Sequence, residues 1–508
     1  MVDTFFCADA ESAETGLHVQ MGNIFCEEGV LREPGMIEHV AQSAAAFAGY
    51  LPYTQGESPK LGFIGEVKKT SEEELKETVK RSAAAQKEWA ALSIDERIDV
   101  LQRAGHALER KSRQIGSLLA MEMGKSWRRA VGEVSGSANS IAYVASRVKA
   151  ALQPVVTEGY GSRTTIKYDP IGVCGIISPW NYPVSMAHWM IIPALTAGNS
   201  VALKPSEETP LVAKAYVDCL NTVLPEGLLQ IVYGDEVQGK ALVASDVDFI
   251  GFTGSMEAGK HILKAAAEQL KPVMMELGGK DPLIVLEDAE IEDAVSFAVA
   301  NSLENAGQMC ISTERVFVHE SIAAEFEKKA AHYVSYYKVG PYTDPQAHVG
   351  PIINDKQRQR IIEHIDDALD KGARLLAGCA GEDHPEHFII PTVLADITDD
   401  MIIAKDETFG PVVCITRFTD VEDAIEAANS TDFGLGAVVY GEKDAGYVAS
   451  KLDAGMIGIN TGAGGGGDTP WVGAKMSGYG YHGSPDGHRQ FTQPRVINEV
   501  IGYGEAEE

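Results

Sequence analysis

The sequence predicts an α/β protein in which parallel sheets are flanked by helices. From residue 171 onward, the short β-rich runs IGVCGIIS, SVALKPS and DFIGFTG are each followed by a helical segment. A second such series starts near ELGGKDPLIVLEDAEIEDAVSFAVA. Repeated strand, turn and helix imply a parallel sheet with helices on both faces. With 508 residues, we expect two or three packed subdomains rather than one core.

The remaining elements follow in chain order. Residues 71–120 predict helices, because Thr70 or Ser71 can cap a segment with acids in its first turn and apolar residues at helical spacing. RTTIKYDP, at 163–170, predicts a strand. KQRQRIIEHIDDALDKGARLLAG predicts a charged helix, and the tail RQFTQPRVINEVI predicts an edge strand.

Composition excludes several classes of function. The net charge of -30 argues against binding nucleic acid or an anionic membrane. No stretch approaches the roughly 20 apolar residues of a membrane span, and the acidic start lacks the layout of a signal peptide. The seven cysteines are scattered without a CxxC pair, so we expect neither a disulfide framework nor a metal site. These features predict a cytoplasmic enzyme.

Three motifs carry candidate catalytic groups. Cys310 lies in NAGQMCIS, Glu276 precedes a Gly-Gly turn in MELGGKDP, and Asn181 lies in the Pro-bounded loop ISPWNYP. A thiolate is a nucleophile, a carboxylate in a dry site can act as a general base, and an amide can donate to an oxyanion. Taken alone, Cys310 is better explained as an inert buried thiol and Asn181 as a turn residue, and the alternative for Glu276 is a strand-end glutamate in solvent.

Three further motifs suit a nucleotide. Lys204 and Glu207 follow a predicted strand in VALKPSEETP and could hold a ribose. Ser255 opens a helix in GFTGSMEAGKHIL, where free N–H groups suit a pyrophosphate although no GxGxxG is present. In DETFGPVV, Glu407 could grip a ribose and Phe409 could flank a flat ring. The alternatives are a solvated ion pair, a capped helix and a loop with a core aromatic.

Together, and in this order, the motifs resemble the aldehyde dehydrogenase superfamily from about residue 51 to 500. The interval of 34 positions between residues 276 and 310 is similar to the family's spacing, as are FGLGAVVY, MIGIN and PWVGAKMSGYG. The resemblance implies oxidation of a small aldehyde to its acid with NAD(P) through a thiohemiacetal and a thioester. The alternatives are a CoA-acylating dehydrogenase, which Glu276 argues against, and a catalytically silent homologue.

The resemblance also assigns roles to matching positions. Cys310 resembles the nucleophile, Glu276 the base that activates the deacylating water, and Asn181, with the backbone N–H of Cys310, the oxyanion hole. The residues that it places at the cofactor are Lys204, Glu207, Gly234, Gly239, Gly254, Ser255, Glu407 and Phe409, and Asn460 would support the site. Glu207 would repel a 2'-phosphate, so NAD is favoured, with NADP tolerated through Lys204.

The fold that the resemblance implies has three parts. A Rossmann-type cofactor domain would comprise 51–150 and 171–275, and an α/β catalytic domain 276–455. A β oligomerisation element, 151–170 with 485–500, would build a homodimer or homotetramer. PWVGAKMSG departs from the family with Trp471 and Val472 where many members have Phe and Gly, near the substrate entrance.

Residues 1–50 depart from the family altogether. EPGMIEHVAQSAAAFAGY predicts an apolar helix that looks somewhat like the central helix of hot-dog-fold acyl dehydratases, with Glu38 in the place of their catalytic acid. A hot-dog domain needs a five- or six-stranded sheet, which about 65 residues cannot supply. The segment is therefore interpreted as a surface or interface helix, with a fusion remnant, a borrowed docking helix or part of a bifunctional acyl-chain enzyme as alternatives.

Overall fold

The structure is a computed structural model that describes residues 4–8, 13–16, 26–27, 30–31 and 67–501. The chain divides into two compact units, Met1–Lys68 and Lys69–Glu508. In the first unit, β1 (Thr4–Ala8) pairs antiparallel with β2 (Ala13–Gly16), and β3 (Cys26–Glu27) pairs antiparallel with β4 (Val30–Leu31). The helix expected near Glu38 lies outside the described residues.

The second unit is an alternation of strands and helices. Its strands are β5 (Val155–Gly159), β6 (Ser162–Pro170), β7 (Val173–Ile177), β8 (Ser200–Lys204), β9 (Leu229–Ile231), β10 (Phe249–Thr253), β11 (Val273–Glu276), β12 (Asp281–Val285), β13 (Thr313–His319), β14 (Arg374–Ala377), β15 (Thr392–Ala395), β16 (Val412–Phe418), β17 (Gly436–Tyr440), β18 (Met456–Ile459), β19 (Gly478–Tyr479) and β20 (Thr492–Val500).

The helices of this unit cover most of the intervening chain. They are α1 (Glu72–Ala91), α2 (Ile94–Met123), α3 (Trp127–Ala151), α4 (Ser185–Ala197), α5 (Pro210–Asn221), α6 (Glu236–Ala244), α7 (Met256–Ala267), α8 (Ile291–Leu303), α9 (Glu320–Val334), α10 (Asp355–Asp370), α11 (Ile402–Lys405), α12 (Val421–Asn429), α13 (Ala445–Lys451) and α14 (Ser484–Arg489). Within the described part of the chain, no helix is both long and apolar enough for a membrane crossing.

The first helices begin where the sequence predicts. The Ser71 side chain accepts from the backbone of Glu74, whose carboxylate accepts in return from the Ser71 backbone. Ser93 and Glu96 repeat this arrangement at the start of α2. Each capping box satisfies donors that a helix start otherwise leaves without partners. The predicted helical region is therefore two helices divided at Leu92 and Ser93.

A six-stranded sheet has the order β19-β11-β10-β7-β8-β9 and is parallel except for β19. Ile177 pairs with Lys204 and with Phe252, and Thr253 pairs with Glu276. The carboxyl ends of four strands therefore meet at one edge, where open parallel sheets bind ligands. β7, β8 and β11 are buried along their whole length, so helices cover both faces of the sheet.

A seven-stranded sheet has the order β14-β15-β16-β13-β12-β17-β18, with only β14 antiparallel among these strands. Its apolar faces pack against α8 and α9 on one side and α12 and α13 on the other. A separate antiparallel sheet has the order β20-β6-β5, so the tail strand is an edge strand, as predicted.

Candidate active site

The site is built first from the edge of the six-stranded sheet. The loop with Asn181 follows β7, Lys204 is the last residue of β8, Ser255 follows β10, and Glu276 ends β11. Because these strands are parallel and in register, their carboxyl ends place the four residues along one edge. The sequence motifs, which span residues 177 to 282, thus converge at one edge of the sheet.

Glu276 is a buried carboxylate, with 7% of its surface exposed. Among the described residues, neither of its oxygens has a hydrogen-bond partner. Burial raises the pKa of Glu276, and Cys310, Trp471 and Thr253, which face the carboxylate, only partly oppose that rise. A carboxylate without partners in a dry site is suited to accept a proton, as a general base must.

The strand that carries Glu276 is fixed from both sides. Gly254 donates its N–H to the Glu276 carbonyl, and β19 pairs with β11 opposite Glu276. The buried Ser477 hydroxyl donates to the Gly278 carbonyl at 2.7 Å and accepts from the Gly434 N–H at 2.9 Å. The C-terminal block, PWVGAKMSGYG, therefore holds the position of the base.

Cys310 lies on a tightly bent loop between α8 and β13. Asn305 and Ala306 have φ of 52° and 59°, and Gly307 has φ of 72°. A side chain at Gly307 would place its Cβ 2.0 Å from the Gly410 carbonyl oxygen, so this position requires glycine. Backbone strain of this kind is concentrated at functional sites.

The thiol of Cys310 is close to the base. Burial raises the pKa of Cys310 well above its ordinary value, and the nearby Glu276, Asp281 and Glu407 carboxylates add to the rise. The thiol is therefore the resting form of this side chain in the arrangement described. A neutral thiol stored beside a buried carboxylate must lose its proton before it can act as a nucleophile.

Asn181 is held from three directions. Its side-chain amide donates to the Gln308 carbonyl at 3.1 Å, two residues before Cys310. The backbone carbonyl of Asn181 accepts hydrogen bonds from Lys125 Nζ at 2.9 Å and from Asn305 Nδ2 at 3.1 Å. The structure thus brings Asn181 and Cys310 onto adjoining loops, as the oxyanion-hole prediction requires.

A buried ion pair missed by the sequence reasoning supports this loop. Lys125 Nζ lies 2.7 Å from Glu133, and both side chains are 3% exposed. The other oxygen of Glu133 accepts from the N–H groups of Val184 and Ser185. Because the start of α4 has no side-chain cap of its own, Glu133 supplies one from α3.

Glu407 and Phe409 precede β16 and face the same loops. The Gly279 N–H donates to Glu407 at 3.0 Å, and burial, with the charge of Glu314, raises the pKa of Glu407 to about 7. The Phe409 ring meets the Trp180 ring edge-on, with centroids 5.5 Å apart. The Glu407 carboxylate therefore lies beside the Gly-Gly turn that follows Glu276, and the Phe409 ring lies against the loop that carries Asn181.

The nucleotide residues form a second group. Lys204 Nζ lies 3.2 Å from Glu207, with the lysine side chain 6% and the glutamate 53% exposed. Ser255 caps α7 by accepting from the Ala258 N–H, which leaves other first-turn N–H groups for a phosphate. Gly234 has φ of 142°, and a Cβ there would meet the Gln238 side chain at 2.1 Å.

This group fits a dinucleotide. The amine and carboxylate supply a donor and an acceptor for ribose hydroxyls, and the helix start suits a pyrophosphate. Gly254 lies in the turn before Ser255, whereas Gly239 lies within α6, where a Cβ would meet nothing. Asn460 is placed further away, at the end of β18, where its amide binds both backbone groups of Gly441.

Aromatic side chains lie near the thiol and the base, with Tyr182 near Cys310 and Trp471 near Glu276. The His482 ring is stacked between Trp189, with centroids 5.8 Å apart, and Trp471, at 6.3 Å. The Tyr182 hydroxyl lies 3.8 Å from the Met309 sulfur, beside Cys310. Trp471 was noted from the sequence, but its stacking on His482 was not. In the described part of the chain, no group of three or more His, Cys, Asp or Glu could hold a metal ion.

Comparison with known proteins agrees with this geometry. Residues 57–497 match the model of the aldehyde dehydrogenase family. The chain is 36% identical to a probable succinate-semialdehyde dehydrogenase [NADP(+)] of Sinorhizobium fredii, covering 87% of this chain and 91% of that one. It is 35% identical to a betaine aldehyde dehydrogenase of the same organism, covering 85% and 90%.

A solved structure matches over the same region. It is the NADP-dependent glyceraldehyde-3-phosphate dehydrogenase of Bacillus halodurans, complexed with NADP. The match has a TM-score of 0.83 and 33% identity, and covers 87% of this chain and 94% of that one. These similarities confirm the predicted fold class and the superfamily that the motifs resemble. Residues 1–74 separately match the model of the ApeP dehydratase family, a dehydratase likeness like the one noted around Glu38.

Proposed function

The chain belongs to the aldehyde dehydrogenase family, and we propose that Cys310 is the nucleophile with which it oxidises an aldehyde to the carboxylic acid using NAD(P). The observation that carries this assignment is the cluster of Cys310, Glu276 and Asn181, in which Glu276 ends β11 and the other two lie on adjoining loops. A thiol with a buried base and a hydrogen-bond donor nearby is what acyl chemistry requires.

The proposed reaction begins at the thiol. Cys310 loses its proton to water, and its sulfur bonds to the aldehyde carbon while the carbonyl electron pair moves to oxygen. The amide of Asn181 and the backbone N–H of Cys310 stabilise the resulting oxyanion, each worth about 3 kcal/mol of barrier. When bound, the nicotinamide cofactor supplies the acceptor for the hydride that leaves this carbon as the thioester forms.

The second half of the reaction releases the acid. Glu276 removes a proton from a water that attacks the thioester carbon, and the carbon–sulfur bond breaks to return the thiolate. The burial of Glu276 beside the Cys310 thiol supports this role, because burial raises the pKa of the carboxylate and so suits it to accept a proton. A base at this position favours hydrolysis over transfer to CoA.

Lys204, Glu207, Gly234 and the Gly254–Ser255 turn are proposed to hold the adenosine and pyrophosphate, and Glu407 and Phe409 the nicotinamide riboside. NAD is proposed as the preferred cofactor, because the exposed Glu207 carboxylate would repel a 2'-phosphate. Lys204, 3.2 Å away, offsets part of that repulsion and lets NADP bind. Gly239 is proposed to line the adenine side of the cofactor site, and Asn460 to support the conformation of the site.

The tail of the aldehyde is proposed to be uncharged or cationic. The two relatives described above are named for aldehydes whose tails have opposite charges. Succinate semialdehyde has a carboxylate tail, and betaine aldehyde has a trimethylammonium tail. The two cations described beside the Tyr182 loop are already paired, Lys125 with Glu133 and Arg129 with Glu304. Aromatic rings bind cations through their faces, and a paired cation is a poor partner for a carboxylate.

A panel of aldehydes of equal length tests both statements. The wild-type enzyme is given carboxylate, methyl and trimethylammonium tails, each with NAD and with NADP, and nucleotide reduction is followed by absorbance. We expect the carboxylate tail to give the lowest kcat/KM, by about tenfold or more, and NAD to exceed NADP. A preference for the carboxylate tail would contradict the tail assignment. No reduction with any member would contradict aldehyde oxidation itself.

Assembly and compartment extend the proposal. The three-stranded sheet exposes apolar side chains, among them Val156 at 55% and Val496 at 64%, which supports a homodimer or homotetramer built on this element. The parts 51–150 with 171–275, and 276–455, are proposed as the cofactor and catalytic domains. The cytoplasm is proposed as the compartment, supported by the free thiols of the described cysteines.

A further inference from the structure

Glu314, at the second position of β13, is a buried carboxylate that the proposed reaction does not use. It is 4% exposed and accepts three short hydrogen bonds. Lys280 Nζ donates at 2.6 Å, the Thr408 N–H at 2.7 Å and the Phe409 N–H at 2.8 Å. Two of its three donors thus belong to the backbone of the loop that presents Glu407 and Phe409.

This loop has a conformation that needs support. Phe409 has φ of 54°, a left-handed backbone that a bulky residue rarely adopts. On the opposite side, Gln357 Nε2 donates to the carbonyls of Thr408 at 2.9 Å and Phe409 at 3.2 Å. The peptide units on both sides of this strained residue are therefore held, the N–H groups by Glu314 and the carbonyls by Gln357.

We propose that Glu314 is a positioning residue for the nicotinamide half of the cofactor. It holds the backbone of Thr408 and Phe409 so that the carboxylate of Glu407 faces the Gly-Gly turn and the ring of Phe409 meets that of Trp180. The inference rests on the proposed roles of Glu407 and Phe409. Glu314 itself touches neither substrate nor cofactor, because its oxygens are occupied by Lys280 and the loop.

The two halves of the cofactor site lie on different sheets. Lys204 ends a strand of the six-stranded sheet, and Glu207 and Ser255 follow its strands, whereas Glu314 is on the seven-stranded sheet. A change at Glu314 should therefore weaken binding of the whole dinucleotide but not of ADP, which has only the adenosine and pyrophosphate part. General damage to the fold would weaken both ligands together.

The test uses Glu314→Gln in the full chain, with Kd measured for NAD and for ADP. A Gln side chain offers one acceptor oxygen in place of two, so it cannot keep all three donors. We expect Kd for NAD to rise about tenfold and Kd for ADP to stay unchanged. Hydrolysis of p-nitrophenyl acetate, which needs no bound nucleotide, should keep its wild-type rate.

Glu327→Gln is the matched control. Glu327 is also a buried glutamate with two charged partners, Arg374 at 3.0 Å and Arg417 at 2.7 Å, but it lies on α9. Its replacement should lower thermal stability without changing either Kd. Unchanged NAD binding in Glu314→Gln, or equal weakening of NAD and ADP, would overturn the inference.

A second pair of variants keeps the test decisive. If Glu314→Gln does not fold, the double variant Lys280→Met/Glu314→Leu replaces the buried ion pair with apolar side chains, which proteins often tolerate. It should show the same selective loss of NAD binding. Phe409→Ala separates the positioning role of Glu314 from the proposed nicotinamide site. Unchanged NAD binding in Phe409→Ala would contradict the nicotinamide site itself. Weaker NAD binding in Phe409→Ala but not in Glu314→Gln would contradict only the positioning role.

Discussion

Glu276 and Glu314 are two buried glutamates of one site with opposite surroundings. Glu276 is 7% exposed, and neither of its oxygens has a hydrogen-bond partner among the described residues. Glu314 is 4% exposed, and three donors surround it at 2.6 to 2.8 Å. The first carboxylate is free to react, while the second is fully used in holding the chain.

The difference separates reaction from support. A buried carboxylate without partners destabilises the fold, because its charged form is desolvated without compensation, and its pKa rises. A buried carboxylate with charged and backbone partners fixes the segments that it joins. The same division appears around Asn181, where the buried ion pair of Lys125 and Glu133 holds the loop, while burial and the nearby carboxylates raise the pKa of the Cys310 thiol.

Removal of the thiol is expected to have the largest effect. Cys310→Ala should lower kcat for aldehyde oxidation by at least about 10⁴-fold, because no covalent intermediate can form. NAD binding should be unchanged, since the residues that are proposed to hold the cofactor remain in place. The control is Cys379→Ala, which removes another partly exposed thiol and should leave the rate intact. Substantial turnover by Cys310→Ala would contradict the assigned nucleophile.

Removal of the base should separate the two halves of the reaction. In Glu276→Gln the first burst of reduced cofactor should persist, because the loss of a nearby negative charge does not oppose thiol ionisation. Steady-state turnover should fall by about 10²- to 10⁴-fold. Stopped-flow absorbance measures both phases, and a normal steady state would remove Glu276 from deacylation.

The steady state should also depend on pH through Glu276. Its pKa lies above the ordinary value, so the active carboxylate form is lost on acidification earlier than for an exposed glutamate. The deacylation rate should therefore rise with pH through that raised pKa in the wild type. The residual rate of Glu276→Gln should show no such rise, and a rise of equal size in both proteins would assign it to another group.

Asn181→Ala should have a smaller effect on the rate, because it removes one of two oxyanion donors and leaves the nucleophile and the base in place. The loss of one oxyanion donor is expected to lower the burst rate by about 10²- to 10³-fold. NAD affinity should not change, because Asn181 bonds Gln308 and the neighbouring backbone rather than the nucleotide residues. Weaker NAD binding would show that this loop serves the cofactor instead.

Stability should reveal the same contrast with the smallest effects. At pH 8, Glu276→Gln should raise the free energy of unfolding, by about 1–3 kcal/mol, because it removes an uncompensated buried charge. A group whose pKa is raised by folding destabilises the fold as pH rises above its unfolded value, so this gain should vanish below about pH 4.5. Glu327→Gln should lower stability instead, and urea unfolding of both variants measures the signs.

Local sequence patterns predicted much of this molecule. Thr70 or Ser71, with acids in the next turn, indicated the first helix start, and the alternation after residue 171 indicated the parallel sheet. Parallel strands end at one edge, so the motifs at Asn181, Lys204 and Glu276 could be expected to meet there. These inferences need only neighbours in sequence and the regular geometry of strands.

The supporting groups could not be predicted in this way. Lys125 reaches the Asn181 carbonyl across 56 positions, and Glu314 reaches the Thr408 N–H across 94. The sequence alone does not distinguish a buried charged residue from a solvated one. A buried charged residue is explained only by its partner, which lies far away in the sequence. The stacking of His482 between Trp189 and Trp471 is likewise a product of tertiary packing.

The most direct test is the mass of the protein trapped during turnover. The Glu276→Gln variant is mixed with NAD and an aldehyde, quenched in acid and digested. The mass of the peptide that contains Cys310 is then measured by mass spectrometry. We expect this peptide to gain the mass of the acyl group as reduced cofactor appears in the burst. An unmodified Cys310 peptide despite a normal burst would contradict the role of Cys310 as the nucleophile. An acyl group found on another cysteine would contradict it as well.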